Sequence, residues 1–186
     1  MNALENWFCS TGIWRRITQR RILPWLLDGV ELGNHVLEIG AGAGAATAEL
    51  RRRAGRVTSL EYSAQLAARL AQKNDWARIV RADATCLPFA PSQFACVVAV
   101  LMLHHLPSED AQDCAFREAA RVLRPGGVFV AFEIHDRWLQ RVSHFRSTFT
   151  PLRTEGLGAR LAASGFAAPR IDSQPQGFRL LTTVGS

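Results

Sequence analysis

The sequence predicts an α/β fold: a doubly wound, mostly parallel seven-stranded sheet with an antiparallel edge strand. Three observations carry this. From residue 35 onward, short apolar runs alternate with Ala-rich stretches that have one charged face, the pattern of strand–helix–strand units. Phe94 to Leu101 is apolar almost throughout, as a central parallel strand covered on both faces must be. Finally, two runs near the end are joined only by Gln174-Pro175-Gln176-Gly177, a turn short enough to make them an antiparallel pair.

Residues 1–34 read as an N-terminal helical cap segment, and 35–186 as the main body of what is expected to be a single domain. Ile13, Trp14 and Ile17 are spaced for a helix with arginines between them, and Pro24 breaks or restarts it. His35 to Ile39 is the first strand and Ala45 to Arg53 the first helix of the body. Arg56 to Glu61 is the second strand, and Ser63 to Lys73 a helix with Leu66, Ala67 and Leu70 on one face. Arg78 to Arg81 is a short third strand. After the fourth strand, Ser108 caps a helix whose first turn holds Glu109 and Asp110, where the helix dipole favours acids. Arg124-Pro125-Gly126-Gly127 stops that helix, and Val128 to Ile134 is the fifth strand. Residues 135–153 form a partly helical connector, Glu155 to Ala163 a helix closed by Gly165, and Phe166 to Asp172 and Phe178 to Val184 the last two strands.

Composition narrows the classes. Apolar residues make up 48% of the 186, which excludes a disordered chain. No apolar run reaches the roughly 20 residues of a membrane span, and the opening residues do not look like a signal peptide, so the cytoplasm is the expected compartment. Cys9, Cys86, Cys96 and Cys114 form no C-x-x-C pair and stand near no histidine at zinc-ligand spacing, so neither a disulfide nor a metal is expected. The net charge of +6 comes from arginines scattered along the chain. It reads as a solvated surface, with attraction to an anionic partner as the alternative.

The chemistry concentrates after the first strand. Val36-Leu37-Glu38-Ile39 runs into Gly40-Ala41-Gly42-Ala43-Gly44 and then a helix. Glycines there permit positive φ and remove side chains that would block a ligand, and the helix presents free N–H groups. Such a turn cradles a nucleotide-containing cofactor, although Gly40, Gly42 and Ala45 also fit a loose dinucleotide fingerprint.

The neighbours decide between these. Glu38 followed by the three glycines resembles motif I of the class I S-adenosylmethionine-dependent methyltransferases, of the small-molecule type with a methyltransferase domain 11 or 25. Their cofactor brings a sulfonium cation and an amino group rather than a pyrophosphate, which suits an acid near the loop. The resemblance implies a Rossmann-like sheet and assigns further cofactor contacts. Glu61, followed by Tyr62, ends the second strand where the family's acid takes both ribose hydroxyls. Asp83 and Ala84, within Arg81-Ala82-Asp83-Ala84-Thr85-Cys86-Leu87-Pro88-Phe89, match a segment whose Asp accepts from the adenine amino group and whose next N–H donates to the ring. The fourth strand departs from the family at Ala95 and Val100, so Val100 is expected to touch the cofactor through its backbone. Leu123-Arg124-Pro125-Gly126-Gly127 matches the family's loop before the fifth strand.

The resemblance covers residues 34–134 by motif and 155–184 by pattern. It implies S-adenosyl-L-methionine as cofactor and methyl transfer to a small-molecule acceptor. Action on nucleic acid or protein, or binding without catalysis, are the alternatives. No membrane partner and no nucleic-acid partner is expected. His104 and His105, just past the fourth strand, are the candidate proton acceptors, with His135 a weaker one. Trp7, Phe8, Trp14, Trp138, Phe145 and Phe149 flank these motifs and are expected to line an acceptor pocket under the N-terminal segment and the 135–153 connector.

Overall fold

A computed structural model describes residues 11–136, 138, 141 and 147–185. Its strands are β1 (His35–Ile39), β2 (Arg56–Glu61), β3 (Arg78–Arg81), β4 (Phe94–Val100), β5 (Leu123–Glu133), β6 (Arg170–Gln174) and β7 (Gly177–Thr183). They form one seven-stranded sheet in the order β3-β2-β1-β4-β5-β7-β6. The first five strands are mutually parallel, and β7 enters antiparallel between β5 and β6. The closing hairpin therefore folds back with its second strand inward, leaving β6 as the half-exposed edge.

Alternation along the central strands builds two cores. Leu37, Ile39, Val97, Ala99, Phe129 and Ala131 face one side of the sheet. There they meet Phe116 and Val122 of α5 (Glu109–Val122) and Leu157 and Leu161 of α6 (Leu157–Ala163). Val36, Cys96, Val98, Val130 and Phe132 face the other side, against Leu50 of α3 (Thr47–Arg53). Ile22, Leu23, Leu26 and Leu27 of the N-terminal helix join that second core. Burial on both faces explains why these strands are apolar at successive positions. Burial also pushes the Cys96 thiol up to about 12, which leaves it an inert packing group.

The N-terminal helix runs as α1 (Gly12–Ile17), a π-type turn (Thr18–Ile22) and α2 (Leu23–Leu26). Pro24 stands in the first turn of α2. Its missing N–H and bulky ring are accommodated by the widened turn before it, so the chain stays helical through the proline. Arg179 of β7 is buried and reaches across to the end of this helix, donating to the carbonyls of Trp25 (3.3 Å) and Asp28 (2.8 Å). A cation at a helix C-terminus satisfies carbonyls that have no helical partner. Arg179→Leu is expected to lower stability by about 2–3 kcal/mol. That is roughly 5–10 °C in Tm, measurable by circular dichroism.

Several boundaries differ from the sequence expectation. α3 starts at Thr47 rather than Ala45 because the glycine turn extends through residue 46. α4 (Ala64–Lys73) begins after Ser63, whose hydroxyl accepts from the Leu66 N–H. α6 begins two residues later than expected, since Gly156 sits at φ +74° before it. β5 begins at Leu123, paired with Phe94, so the Arg124 to Gly127 turn is an irregularity within the strand. β6 begins at Arg170 rather than Phe166: Pro169 lacks a ladder N–H, and Phe166 makes only an isolated bridge to Val184.

Candidate active site

An open cleft of about 520 Å³ lies at the carboxyl ends of β1, β2 and β4. Gly40, Gly42, Glu61, Tyr62, Asp83, Ala84 and His105 line it, all of them residues the sequence singles out. Leu101, Met102 and Leu106 add an apolar end, and Thr148 lies on the same lining. The volume falls within the roughly 300–1,000 Å³ of ligand pockets.

The glycine loop forms the floor. Gly40 has φ +75°, and a Cβ there would lie 2.5 Å from Met102 Cβ, so no side chain fits. Gly42 has φ +55°, and a Cβ there would meet nothing within 4 Å. The loop is thus locked against the protein at Gly40 and open toward the cleft at Gly42. Glu61 fixes it further. One carboxylate oxygen accepts from the Gly42 N–H (2.8 Å) and the other from the Ser63 N–H (2.8 Å). Each oxygen keeps lone-pair capacity for a diol.

Glu38 lies behind the loop rather than on the wall of the cleft. It is 2% exposed and absent from the cleft lining; one oxygen accepts from the hydroxyls of Thr47 (2.7 Å) and Ser59 (2.6 Å). Burial holds its carboxyl above the ordinary range, those two hydroxyls oppose the shift, and the nearby Glu61 adds to it. Glu38 therefore braces the start of α3 against β2 from behind the loop. Ala41 and Gly44 also lie outside the lining: Ala41 is buried, and a Cβ on Gly44 would strike Leu70. Val100 is half-buried and outside the lining as well. Asp83 is exposed, with one oxygen accepting from the N–H and hydroxyl of Thr85 (2.8 and 2.7 Å), which orients the carboxylate.

The two neighbouring histidines divide. They lie in the 3₁₀ turn Leu103–His105. His105 lines the cleft, whereas His104 is buried and its Nδ1 pairs with a carboxylate oxygen of Glu133 at 2.5 Å. The other Glu133 oxygen accepts from the N–H groups of Met102 (3.0 Å) and Leu103 (2.7 Å). The sequence reading missed Glu133. Its signal was an acid closing the otherwise apolar run Val128 to Phe132. Gln112, fully buried on α5, completes the bracing by donating to the carbonyls of Leu103 (3.2 Å) and Thr150 (2.9 Å). Leu101 sits just before these groups at φ +55°, an unfavourable conformation for leucine, with its N–H donating to the Phe132 carbonyl (2.8 Å).

His135 is placed away from the lining, with its Nε2 donating to the Gln174 carbonyl (2.8 Å). His35 lies at the opposite end of β1, bonded to Thr58, and burial and the charges of Arg56 and Arg78 depress its pKa. Of the aromatic residues expected over the acceptor, Trp14 packs against the second core and Trp138 is exposed. Phe149 sits against the His104 ring. Trp7, Phe8 and Phe145 lie outside the described residues. Among the described residues, no group of three or more His, Cys, Asp or Glu could hold a metal ion.

Known proteins resemble this chain in sequence and in fold. A family described as a methyltransferase domain matches residues 37–131. A demethylmenaquinone methyltransferase from Tropheryma whipplei (strain Twist) is 30% identical over 182 residues, covering 94% of this chain and 66% of the relative. A ubiquinone/menaquinone biosynthesis C-methyltransferase from Pseudomonas paraeruginosa is 32% identical over 142 residues, covering 70% of this chain and 52% of the relative. The chain thus spans half to two thirds of the length of these curated relatives. Among solved structures, an SAM-dependent methyltransferase from Aquifex aeolicus shares the fold with a TM-score of 0.77 at 13% identity, covering 99% of both chains.

Proposed function

We propose, from the premise that this chain belongs to the S-adenosylmethionine-dependent methyltransferase family, that it methylates a small, largely apolar acceptor in the cytoplasm. The observation that carries the reading is the shape of the cleft: acids and glycines at one end, Leu101, Met102 and Leu106 at the other, with His105 facing in. The relatives named for menaquinone and ubiquinone biosynthesis support an acceptor of quinone type.

In this reading Glu61 takes the ribose hydroxyls, Asp83 and the Ala84 N–H bind the adenine, and the loop from Gly40 to Gly44 leaves room for the rest. Bound there, S-adenosylmethionine supplies a methyl group already activated by its positive sulfur. Glu61 places a carboxylate at the cleft beside the loop, a group suited to a cation and to hydroxyls and adverse to a pyrophosphate. The protein then has to align the acceptor atom with the methyl group and exclude water, which supplies much of the acceleration. His105 takes the proton that the acceptor releases, and His104, held by Glu133, fixes the turn that carries it.

Titration calorimetry tests the cofactor assignment. S-adenosylmethionine and S-adenosylhomocysteine are expected to bind, and NAD to give no heat. Tight NAD binding without a response to S-adenosylhomocysteine would overturn it. Methyl transfer from labelled cofactor to a demethylated quinone, set beside a nucleic acid and a protein as acceptors, tests the acceptor class.

A further inference from the structure

The outer face of the N-terminal helix has no role in the site described above. Ile13, Arg16, Ile17, Arg20 and Arg21 stand at positions i, i+3, i+4, i+7 and i+8, one face of a helix, and together they line one surface groove. The opposite face holds Thr18, Ile22, Leu23 and Leu26, which are buried in the protein. Ile13 is 71% exposed and Ile17 37% exposed, both large aliphatic side chains in the middle of the outer face. No acidic residue stands between Thr11 and Leu27 to balance Arg15, Arg16, Arg20 and Arg21. The helix needs its inner face to fold onto the sheet, but nothing in that packing calls for exposed isoleucines among arginines that form no ion pair with the described residues.

We infer that this face docks on an anionic phospholipid surface. A helix lying in a bilayer interface buries its apolar side chains at the headgroup–acyl boundary while basic residues reach the phosphates. Arginine suits that position, because its aliphatic stem lies along apolar surface and its guanidinium stays at the polar level. The isoleucines favour lipid over nucleic acid, whose phosphates would pair with the arginines but gain nothing from Ile13 and Ile17. The helix that carries this face also adjoins the site: Gln19, on its inner side, donates to the Ala45 carbonyl (3.3 Å), at the end of the glycine loop that floors the cleft. Docking would bring that loop close to a lipid surface, and it holds whether or not the acceptor is apolar. The sequence expectation of no membrane partner rested on the lack of a spanning run, and an interfacial helix needs none.

Vesicle flotation of the full chain tests this, with phosphatidylcholine vesicles that do or do not contain phosphatidylglycerol. The chain is expected to float only with the anionic vesicles. Each basic residue near such a surface strengthens partitioning about fivefold, so Arg16→Gln/Arg20→Gln/Arg21→Gln is expected to weaken it roughly a hundredfold. Ile13→Ser/Ile17→Ser is expected to weaken it by about tenfold or more, and Ile13→Leu/Ile17→Leu to preserve it. S-adenosylhomocysteine affinity by calorimetry is expected to stay unchanged in all three, which separates lost docking from lost folding and from failure of the cofactor assignment. Absence of flotation with anionic vesicles overturns the inference. So does flotation that the serine pair leaves intact. Binding to a duplex oligonucleotide in preference to the vesicles assigns the face to nucleic acid and overturns it as well.

Discussion

Glu61→Ala is expected to weaken S-adenosylhomocysteine binding by about a hundredfold or more in titration calorimetry, far beyond the effect of Asp83→Ala. Hydrogen bonds to a charged group contribute about 1.5–3 kcal/mol each, or roughly ten- to a hundredfold in affinity. Glu61 stands to lose two of these to a diol. It also holds the Gly42 and Ser63 N–H groups, so its removal loosens the cleft floor together with the ligand contact. Asp83 is exposed and spends one oxygen on Thr85, so its loss is expected to cost about tenfold. Equal and negligible effects from the two substitutions would mean that the cofactor sits elsewhere.

Glu133→Ala is expected to abolish methyl transfer and to destabilise the fold by about 3–5 kcal/mol, because it leaves several buried hydrogen-bonding groups without their acceptor at once. The substitution strips acceptors from two backbone N–H groups and from His104, all on the turn that walls the cleft. Glu133→Gln keeps one carbonyl acceptor and the same volume. It is expected to recover most of the Tm but not the rate, because the amide cannot accept at both ends. Comparing melting temperature, S-adenosylhomocysteine affinity and kcat across the two variants separates positioning from mere stability. If Glu133→Gln matches the parent in rate as well as in Tm, the pair has no part in placing His105.

The sheet was legible because its causes are local. Strands buried on both faces must be apolar at successive positions, and the turn from β1 into α3 must use glycines wherever φ is positive. Both constraints are written in residues 36–47 and 94–101 without reference to distant partners. The same holds for Glu61 and Asp83, which sit at strand ends, where a parallel sheet gathers its side chains at one edge.

Other features depend on partners far away in sequence. His104 and His105 are adjacent and chemically identical, and only the 3₁₀ turn, pinned by Glu133 some 30 residues later, sends one into the protein and the other into the cleft. Glu38 looks like a ligand because it precedes the glycine loop. Its bracing bonds exist because β2 brings Ser59 beside it and α3 brings Thr47. The sequence by itself determined the α/β class, the glycine turn and the acids at the strand ends, since backbone sterics and burial periodicity act over a few residues. Tertiary structure alone decided which acid meets the cleft, which histidine is paired and where β7 inserts. Hydrogen bonding between buried groups depends on which side chains the fold brings within about 3 Å, and no local pattern encodes that distance.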